Sequence, residues 1–245
     1  MSNRQKVRKA IIIGAFLSFP MIMHWLSPWT ILYSASLGIV VGAFITFTLQ
    51  FFLSLFLGRA FCGWLCPGAG LGECLLPIRD KRVKVGKLNL IKWFIWVPWI
   101  TLIVALFVRA GGIVDVIPLF MVEEGLFLGH VGGNYRYFIY YGVVLGIVIS
   151  TLTLGRRAWC HSVCWMAPFM IIGTKISQWL RLPRLQLKSV KENCNGCNIC
   201  TRKCMMSLDV KEMAQRGDVR NTECILCGEC VDACPQKAIT YSFKR

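Results

Sequence analysis

The sequence predicts a membrane all-α fold, with four transmembrane helices as a duplicated two-helix unit and a small α+β domain at the C-terminus. Three observations support this prediction. Of the 245 residues, 56% are hydrophobic and 16% are charged, whereas soluble domains carry ~25% charged residues. A short cysteine motif follows two of the apolar stretches. Eight of the 13 cysteines lie after residue 193.

A helix that crosses a bilayer needs about 20 mostly apolar residues. The sequence contains four candidate stretches: Ala10–Leu26, Ile31–Leu57, Trp93–Val108 and Tyr137–Leu154. We expect each to be one helix, because transmembrane helices tolerate prolines such as Pro20 and Pro98 as kinks. The first stretch is expected to be retained, since no small-residue cleavage pattern follows it as in a signal peptide.

Lysine and arginine residues are distributed unevenly between the connections. Four lie before the first stretch, seven in residues 58–92 and seven in residues 155–193, whereas the loop 109–136 has only its two bounding arginines. The positive-inside rule predicts a multi-pass inner-membrane protein with both termini and the C-terminal domain in the cytoplasm. The net charge of +16 is then explained without a nucleic-acid partner.

This topology divides the chain into five segments. Residues 1–57 hold the leader and the first two helices, and residues 58–92 form a cytoplasmic connection. Residues 93–154 hold the second pair of helices with the outer loop 109–136. Residues 155–193 hold the second cysteine motif and an amphipathic helix (166–182) at the membrane interface. Residues 194–245 form the C-terminal domain.

The cysteines are expected to be metal ligands or free thiols, because disulfides rarely persist in a reducing cytoplasm. The runs CNGCNICTRKC and CILCGECVDACP both match C-x2-C-x2-C-x3-C, in which the fourth cysteine binds the other cluster. One [4Fe–4S] cluster is therefore predicted on Cys194, Cys197, Cys200 and Cys234, and a second on Cys224, Cys227, Cys230 and Cys204. Zinc would favour two separated cysteine pairs. Met205 follows Cys204 where the usual run has proline.

A second cysteine pattern occurs twice, as LGRAFCGWLC (residues 57–66) and LGRRAWCHSVC (residues 154–164). Each copy follows the second helix of a two-helix unit, and parallel repeats are related by an axis along the membrane normal. Such an axis would bring four cysteines together, near Arg59, Arg156 and Arg157: Cys62, Cys66, Cys160 and Cys164. We hypothesise a third [4Fe–4S] cluster there. Four free thiols or a zinc site are the alternatives.

Four spans, two CxxxC motifs and two ferredoxin runs, in this order, resemble the NapH-type membrane ferredoxins. These are the quinol dehydrogenase membrane components of periplasmic nitrate reductase systems, related to the membrane core of NosR- and CcoG-type iron–sulfur proteins. The resemblance implies electron transfer between the quinone pool and a partner redox protein in a larger oxidoreductase complex. Trp165 departs from the family pattern, which has proline after the second motif. No flavin-binding domain of the NosR type is expected.

Two other functions fit the same sequence. A metallocentre-assembly or metal-reducing factor of the CcoG type would use soft ligands beyond the clusters, for which Cys74, Met205 and Met206 are the spare candidates. A structural membrane tether would need no redox-active cluster. A transmembrane haem would need axial ligands, and His24 is the one histidine within a predicted span.

A quinone site is predicted in the outer loop. Oxidation of a quinol releases protons, and ionisable groups near a membrane face are candidates to accept them. The outer loop offers Asp115, Glu123, Glu124 and His130. Solvated loop residues without a function are the alternative.

Overall fold

The computed structural model describes residues 2–84, 86–120 and 135–244. The helical part contains ten helices within these residues: α1 (Asn3–Leu17), α2 (Phe19–Leu26), α3 (Pro28–Ser36), α4 (Gly42–Leu57), α5 (Ala60–Trp64), α6 (Pro67–Cys74), α7 (Leu88–Arg109), α8 (Tyr135–Leu154), α9 (Ala158–Ser162) and α10 (Ala167–Trp179). The C-terminal part adds α11 (Ile199–Lys203), α12 (Val210–Gln215) and α13 (Glu229–Asp232). The strands are β1 (Ile39–Val40), β2 (Asp115–Val116), β3 (Arg184–Ser189) and β4 (Ile239–Lys244).

Helices α7 and α8 confirm the third and fourth predicted helices. Within the described residues, α7 and the segment Tyr137–Leu154 of α8 are long and apolar enough to cross a membrane. Their apolar side chains are largely exposed, with Phe94 77% and Phe138 79% accessible. Apolar side chains at such exposure are expected where lipid, not water, surrounds a helix.

The prediction of one kinked helix over Ala10–Leu26 is wrong, because the structure has two helices there, α1 and α2. The chain bends by 82° between α1 and α2, so the pair counts as a third span only if a broken span is accepted. Pro20 lies in the first turn of α2, where its missing N–H needs no partner. α1 also begins at Asn3, and it carries the basic leader residues into the protein, with Arg8 fully buried.

The second predicted helix is also wrong, because Ile31–Leu57 is two helices, α3 and α4. Between them Gly38 adopts a φ of +70° and β1 pairs in parallel with β2. At Gly42 a Cβ atom would lie 2.5 Å from the Trp25 ring and 2.7 Å from the Pro118 carbonyl. The chain therefore leaves the helical path where glycine allows a close approach. α4 has 16 residues and falls short of spanning length.

The two halves of the helical part pack reciprocally. α4 and α8 are the apolar helices that precede the CxxxC motifs, and α6 and α10 are the helices that follow them. α6 packs against α8, and α10 packs against α4. Two copies of one unit related by a twofold axis produce this exchange of partners.

The C-terminal part is a small α+β unit built on the antiparallel pair β3 and β4. Arg184 pairs with Lys244, and Ser189 pairs with Ile239. The folded unit around the last eight cysteines therefore begins at β3, before Cys194. It shares one hydrophobic core with the helical part, since Phe47 of α4, Met170 of α10 and Ile225 belong to the same buried cluster.

Candidate iron–sulfur sites

The two CxxxC motifs have the same local backbone structure. In each motif the first cysteine lies in a five-residue helix, α5 or α9. The N–H groups of the second cysteine and of the residue before it both donate to one carbonyl, that of Phe61 in the first motif and of Trp159 in the second. The backbone amide three residues after the second cysteine, that of Ala69 or Ala167, lowers the pKa of that cysteine in both motifs. The sequence repeat is therefore a structural repeat.

The structure brings the four motif cysteines together. Burial raises the pKa of Cys66 well above its ordinary value, and the neighbouring Cys62, Cys160 and Cys164 raise it further. Burial, followed by Cys160 and Cys62, raises the pKa of Cys164 to about 12. Cys66, Cys160 and Cys164 also line one cavity, and Cys62 is buried in the core. Two thiols from each repeat thus form one set, which we call the repeat-cysteine set.

Two buried arginines adjoin the repeat-cysteine set. Arg59 is 1% exposed and Arg157 is 3% exposed. Burial alone would lower the pKa of Arg59, but Cys62 and then Glu223 raise it above its ordinary value. Among the described residues, Arg59 Nε and Nη2 and Arg157 Nε have no hydrogen-bond partner. A [4Fe–4S] centre with four thiolate ligands is net negative, so these buried N–H donors and the four thiols fit such a group.

Glu73 of α6 links the repeat-cysteine set to α1. Its carboxylate accepts from Arg8 at 2.6 and 2.9 Å and from Arg157. Arg8 also donates to the carbonyl of Gly63 and to Glu229 of α13. Arg8 and Glu73 are both nearly inaccessible to solvent. The loss of Glu73 would leave the buried Arg157 without its carboxylate partner.

The eight C-terminal cysteines line two separate cavities. One cavity is lined by the first predicted ligand set: Cys194, Cys197, Cys200 and Cys234. The other is lined by the second predicted set: Cys204, Cys224, Cys227 and Cys230. In each cavity the first three cysteines of one run lie with the fourth cysteine of the other run. Burial raises the pKa of Cys224 to about 12 and of Cys227 to about 11, so cluster binding must displace their protons.

The two cysteine runs also share their backbone conformation. Left-handed residues flank the second cysteine of each run, Gly196 and Asn198 in the first and Leu226 and Gly228 in the second. The residue three positions after the fourth cysteine is left-handed in both runs as well. It is Ser207 after Cys204 and Lys237 after Cys234, and its N–H donates to the cysteine carbonyl in each case. The turn after Cys204 therefore keeps its form although Met205 replaces the usual proline.

Side chains of the helical part bind the cysteine-bearing loops of the C-terminal part. Gln5 donates to the carbonyl of Cys227 at 3.0 Å, and Trp64 donates to that of Leu226 at 3.1 Å. Arg156 donates to the Cys204 carbonyl at 3.3 Å. Four ion pairs join the same two parts: Arg4–Asp232, Arg8–Glu229, Arg59–Glu223 and Lys92–Glu223. These contacts fix the position of the set Cys204, Cys224, Cys227 and Cys230 relative to the repeat-cysteine set.

Within residues 2–84, 86–120 and 135–244, no three His, Cys, Asp or Glu side chains lie close enough together to hold a single metal ion. Tetrahedral zinc needs four sulfurs at about 2.3 Å from one centre. A cubane takes one cysteine at each corner iron, so its ligands surround a volume. The cysteine sets line cavities, which is the arrangement that a cubane requires.

Of the four residues predicted for the quinone site, one lies within the described residues. Asp115 lies in β2, where it is exposed and accepts from the N–H of Val116. Glu123, Glu124 and His130 lie outside the described residues.

The other candidate metal ligands have ordinary surroundings. His24 is buried and its Nε2 lies 3.0 Å from the carbonyl of Pro118. Cys74 is exposed at the end of α6. Met205 and Met206 are buried in the hydrophobic core. The spare soft ligands therefore lie in different environments.

Sequence reasoning missed the buried residues that join the two parts, above all Gln5, Glu73 and Glu223. Glu73 carried a usable signal, because a carboxylate in the otherwise apolar segment GAGLGEC needs a buried cation. Gln5 and Glu223 had no signal of this kind, since both lie in polar segments.

Two family models match the chain. A model described as "4Fe-4S dicluster domain" matches residues 193–239. A model described as "4Fe-4S binding domain" matches twice, at residues 39–86 and 135–183. The second model thus covers both CxxxC motifs, as expected for a duplicated unit.

Curated relatives are about one quarter identical to the chain. Protein MJ0749 of Methanocaldococcus jannaschii is 26% identical over 83% of this chain and 72% of its own. The putative electron transport protein YccM of Escherichia coli is 26% identical over 79% of this chain and 54% of its own. The ferredoxin-type protein NapH of Haemophilus influenzae is 24% identical over 76% and 63%. No solved structure matches the chain. The apolar helices indicate a membrane protein, the family models identify [4Fe–4S] binding domains, and the chain is similar to ferredoxin-type electron transport proteins such as YccM and NapH.

Proposed function

We propose that the chain is a membrane subunit that passes electrons between a quinone and a partner redox protein, and that it holds three [4Fe–4S] clusters. Bound clusters accept and donate single electrons. The oxidation of one quinol releases two electrons and two protons, so a one-electron carrier must accept the electrons in succession. The chain supplies the ligands, the spacing and the charged surroundings.

The attachment of the C-terminal part to the repeat-cysteine set is the observation that carries this proposal. A free ferredoxin on a tether would need no buried contacts with its anchor. Here Gln5, Trp64 and Arg156 bind the carbonyls of the cysteine loops. Such fixed contacts support a constant distance between redox centres rather than simple attachment to the membrane.

The contacts also support an order of the three sites. Gly63 of α5 approaches so closely that a Cβ atom there would lie 2.2 Å from the carbonyl of Ile225. Arg59 acts electrostatically on Cys62 and on Cys224. The set containing Cys224 therefore lies next to the repeat-cysteine set, and the set containing Cys194 lies beyond it, toward the partner protein in the cytoplasm.

An apolar cavity supports a quinone site beside the repeat-cysteine set. Its volume is about 120 Å³, compared with about 20 Å³ for each of the two C-terminal cavities. It therefore has more free space than the cavities beside the other two cysteine sets. Apart from three cysteines, its wall is mostly apolar and aromatic, including Phe19, Met23, Ile139, Val143, Trp159 and Trp165. Quinone sites are expected to have this character.

The iron content of anaerobically purified protein tests the number of clusters. Three cubanes need about twelve irons per chain and two need about eight. We expect the higher count, and a loss of about four irons when Cys62 and Cys160 are both replaced by serine. A count of about eight in the wild type, unchanged by the double replacement, would contradict the third cluster.

The quinone cavity is tested by filling it. In Val143→Trp the new ring occupies the cavity, and we expect quinol-dependent cluster reduction to fall by ~10-fold while reduction by dithionite is unchanged. Leu145→Trp is the matched control, because Leu145 lies on the same helix and is 57% exposed. The outer loop is the competing site. The outer-loop site would be favoured if Val143→Trp oxidised quinol normally and a variant lacking the four loop residues did not. Those residues are Asp115, Glu123, Glu124 and His130.

A further inference from the structure

A groove lined by arginines lies at the C-terminal end of α10. Three arginines line it, Arg181, Arg184 and Arg220, together with the single carboxylate Asp218. It continues inward past Gln178 and Gln186 into a smaller cavity that reaches Arg59 and Gly58. Asp218 is already paired with Arg220 at 2.7 Å. The groove is therefore positively charged after its internal ion pair is counted.

Arg184 is the central residue of this groove. It is 6% exposed, and no carboxylate of the described residues lies within ion-pair distance of it. Its two hydrogen bonds, to the Thr174 carbonyl and to Gln186, are both 3.4 Å long, beyond the usual range. Burial lowers the pKa of Arg184 and the charge of Arg220 lowers it further, whereas Asp218 raises it. Because Asp218 is already paired with Arg220, the buried Arg184 has no carboxylate of its own among the described residues and could bind a further anion.

Two further features beside Arg184 are unexplained by the fold. Ser177 Oγ is fully buried and has no hydrogen-bond partner among the described residues. Arg181 has a φ of +53° and occupies the left-handed position of a Schellman motif, in which Leu182 N–H donates to the Ser177 carbonyl. Glycine is the usual residue there. An arginine at this strained position places a cation at the mouth of the groove.

The groove lies level with the end of an apolar helix. Its inner end reaches Gly58, which directly follows α4. Phe56 and Leu57 of α4 are 45% and 41% exposed, and Trp179 and Leu180 beside the groove are 81% and 52% exposed. Tryptophan at the edge of an apolar surface, next to arginine, is typical of the membrane–water interface.

We propose that this groove binds the phosphate headgroup of an anionic phospholipid, with Arg181, Arg184 and Ser177 as its ligands and the acyl chains along Trp179 and Phe56. Arginine suits phosphate oxygens because its N–H groups donate in pairs. An acidic protein partner would also match the charge. The exposed apolar residues at the same edge favour a lipid.

Lipid retention by the intact chain tests the proposal. Full-length protein in nanodiscs of phosphatidylcholine with a minor fraction of phosphatidylglycerol is released into detergent, and the retained lipids are counted by native mass spectrometry. We expect the wild type to retain phosphatidylglycerol and Arg184→Gln to bind it about tenfold more weakly. Arg216→Gln is the matched control, because Arg216 is an exposed arginine of the same C-terminal part. Equal retention by both variants would overturn the proposal.

A second variant keeps the test valid if Arg184→Gln does not fold. Arg181→Gly removes the cation and relieves the left-handed strain, so we expect higher thermal stability in lipid-free detergent but weaker retention of phosphatidylglycerol. If Arg181→Gly retained phosphatidylglycerol as well as the wild type, Arg181 would not be a ligand and the proposed lipid site would be contradicted. Inorganic phosphate is the remaining arm. If phosphate alone stabilises the wild type as much as phosphatidylglycerol does, the site binds free phosphate and the lipid assignment is wrong.

Discussion

Glu73 is the residue on which the buried charges near the repeat-cysteine set depend. It is the shared partner of Arg8 and Arg157, and all three side chains are at most 3% exposed. Removing the Glu73 carboxylate would therefore leave Arg157 without its carboxylate partner and Arg8 with Glu229 alone.

We expect Glu73→Gln to destabilise the protein by about 3–5 kcal/mol, because breaking a buried ion pair leaves a charge uncompensated. Thermal unfolding of the detergent-solubilised protein measures the effect. Glu212→Gln is the control, because Glu212 forms an exposed pair with Arg216 within α12, and such pairs contribute less than about 1 kcal/mol. Equal effects of the two substitutions would contradict the buried network.

The contribution of Glu73 to the stability of the fold should decrease as the pH is lowered. Burial alone would raise the pKa of Glu73, but Arg157 and Arg8 hold it below its ordinary value. A carboxylate with a lowered pKa stabilises the fold above its unfolded pKa of about 4.3, and this stabilisation is lost as the pH falls through the lower folded value. The difference in melting temperature between wild type and Glu73→Gln should stay constant above about pH 5 and shrink below about pH 4. A difference that grew on acidification would refute this account.

At the scale of elements, hydropathy predicted α7 and α8 but not the break between α3 and α4. An uninterrupted apolar run has the composition of one long helix. The break at residues 37–41 depends on Gly38 and on pairing with β2, a segment far away in sequence. Local periodicity contains no information on such a partner, so the composition alone favoured the wrong structure.

The contact between α5 and the C-terminal part can be tested at Gly63. A Cβ atom at Gly63 would lie 2.2 Å from the Ile225 carbonyl. We expect Gly63→Ala to destabilise the protein by about 1–3 kcal/mol, as overpacking does, and to lower its iron content. Gly72→Ala in α6 is the control, since a Cβ atom there meets nothing within 4 Å and alanine favours a helix by about 1 kcal/mol. If Gly72→Ala lost iron and Gly63→Ala did not, the contact between α5 and the C-terminal part would not be what holds the iron.

At the scale of the whole molecule, the grouping of the cysteines around cavities was predictable because their spacing is a property of the sequence, and their role as cluster ligands stays a prediction. The exchange of Cys204 and Cys234 between runs follows from the ferredoxin pattern, and the convergence of Cys62 with Cys160 follows from the repeat. The docking of the C-terminal part was not predictable, because it depends on single polar side chains such as Gln5. These have no periodic signal, and their partners are backbone carbonyls that any residue has.

The orientation of the molecule in the membrane remains a prediction from charge. Cys74 is exposed and belongs to none of the three predicted cluster ligand sets, so its thiol reports the side of the membrane that the 58–92 connection faces. A membrane-impermeant maleimide should label Cys74 in inverted vesicles and not in intact spheroplasts. Cys74→Ala gives the background. Labelling from the outside would reverse the topology.

The hydrogen bond between Gln5 and Cys227 joins residues 222 positions apart, and this has a consequence for biosynthesis. α1 is made before the C-terminal part, yet Arg4 and Gln5 contact Asp232 and Cys227 in the folded protein. Until those two residues have been synthesised, the charged side chains at the start of α1 must stay solvated. This helix is therefore among the last elements to reach its final position, against the C-terminal cysteine loops.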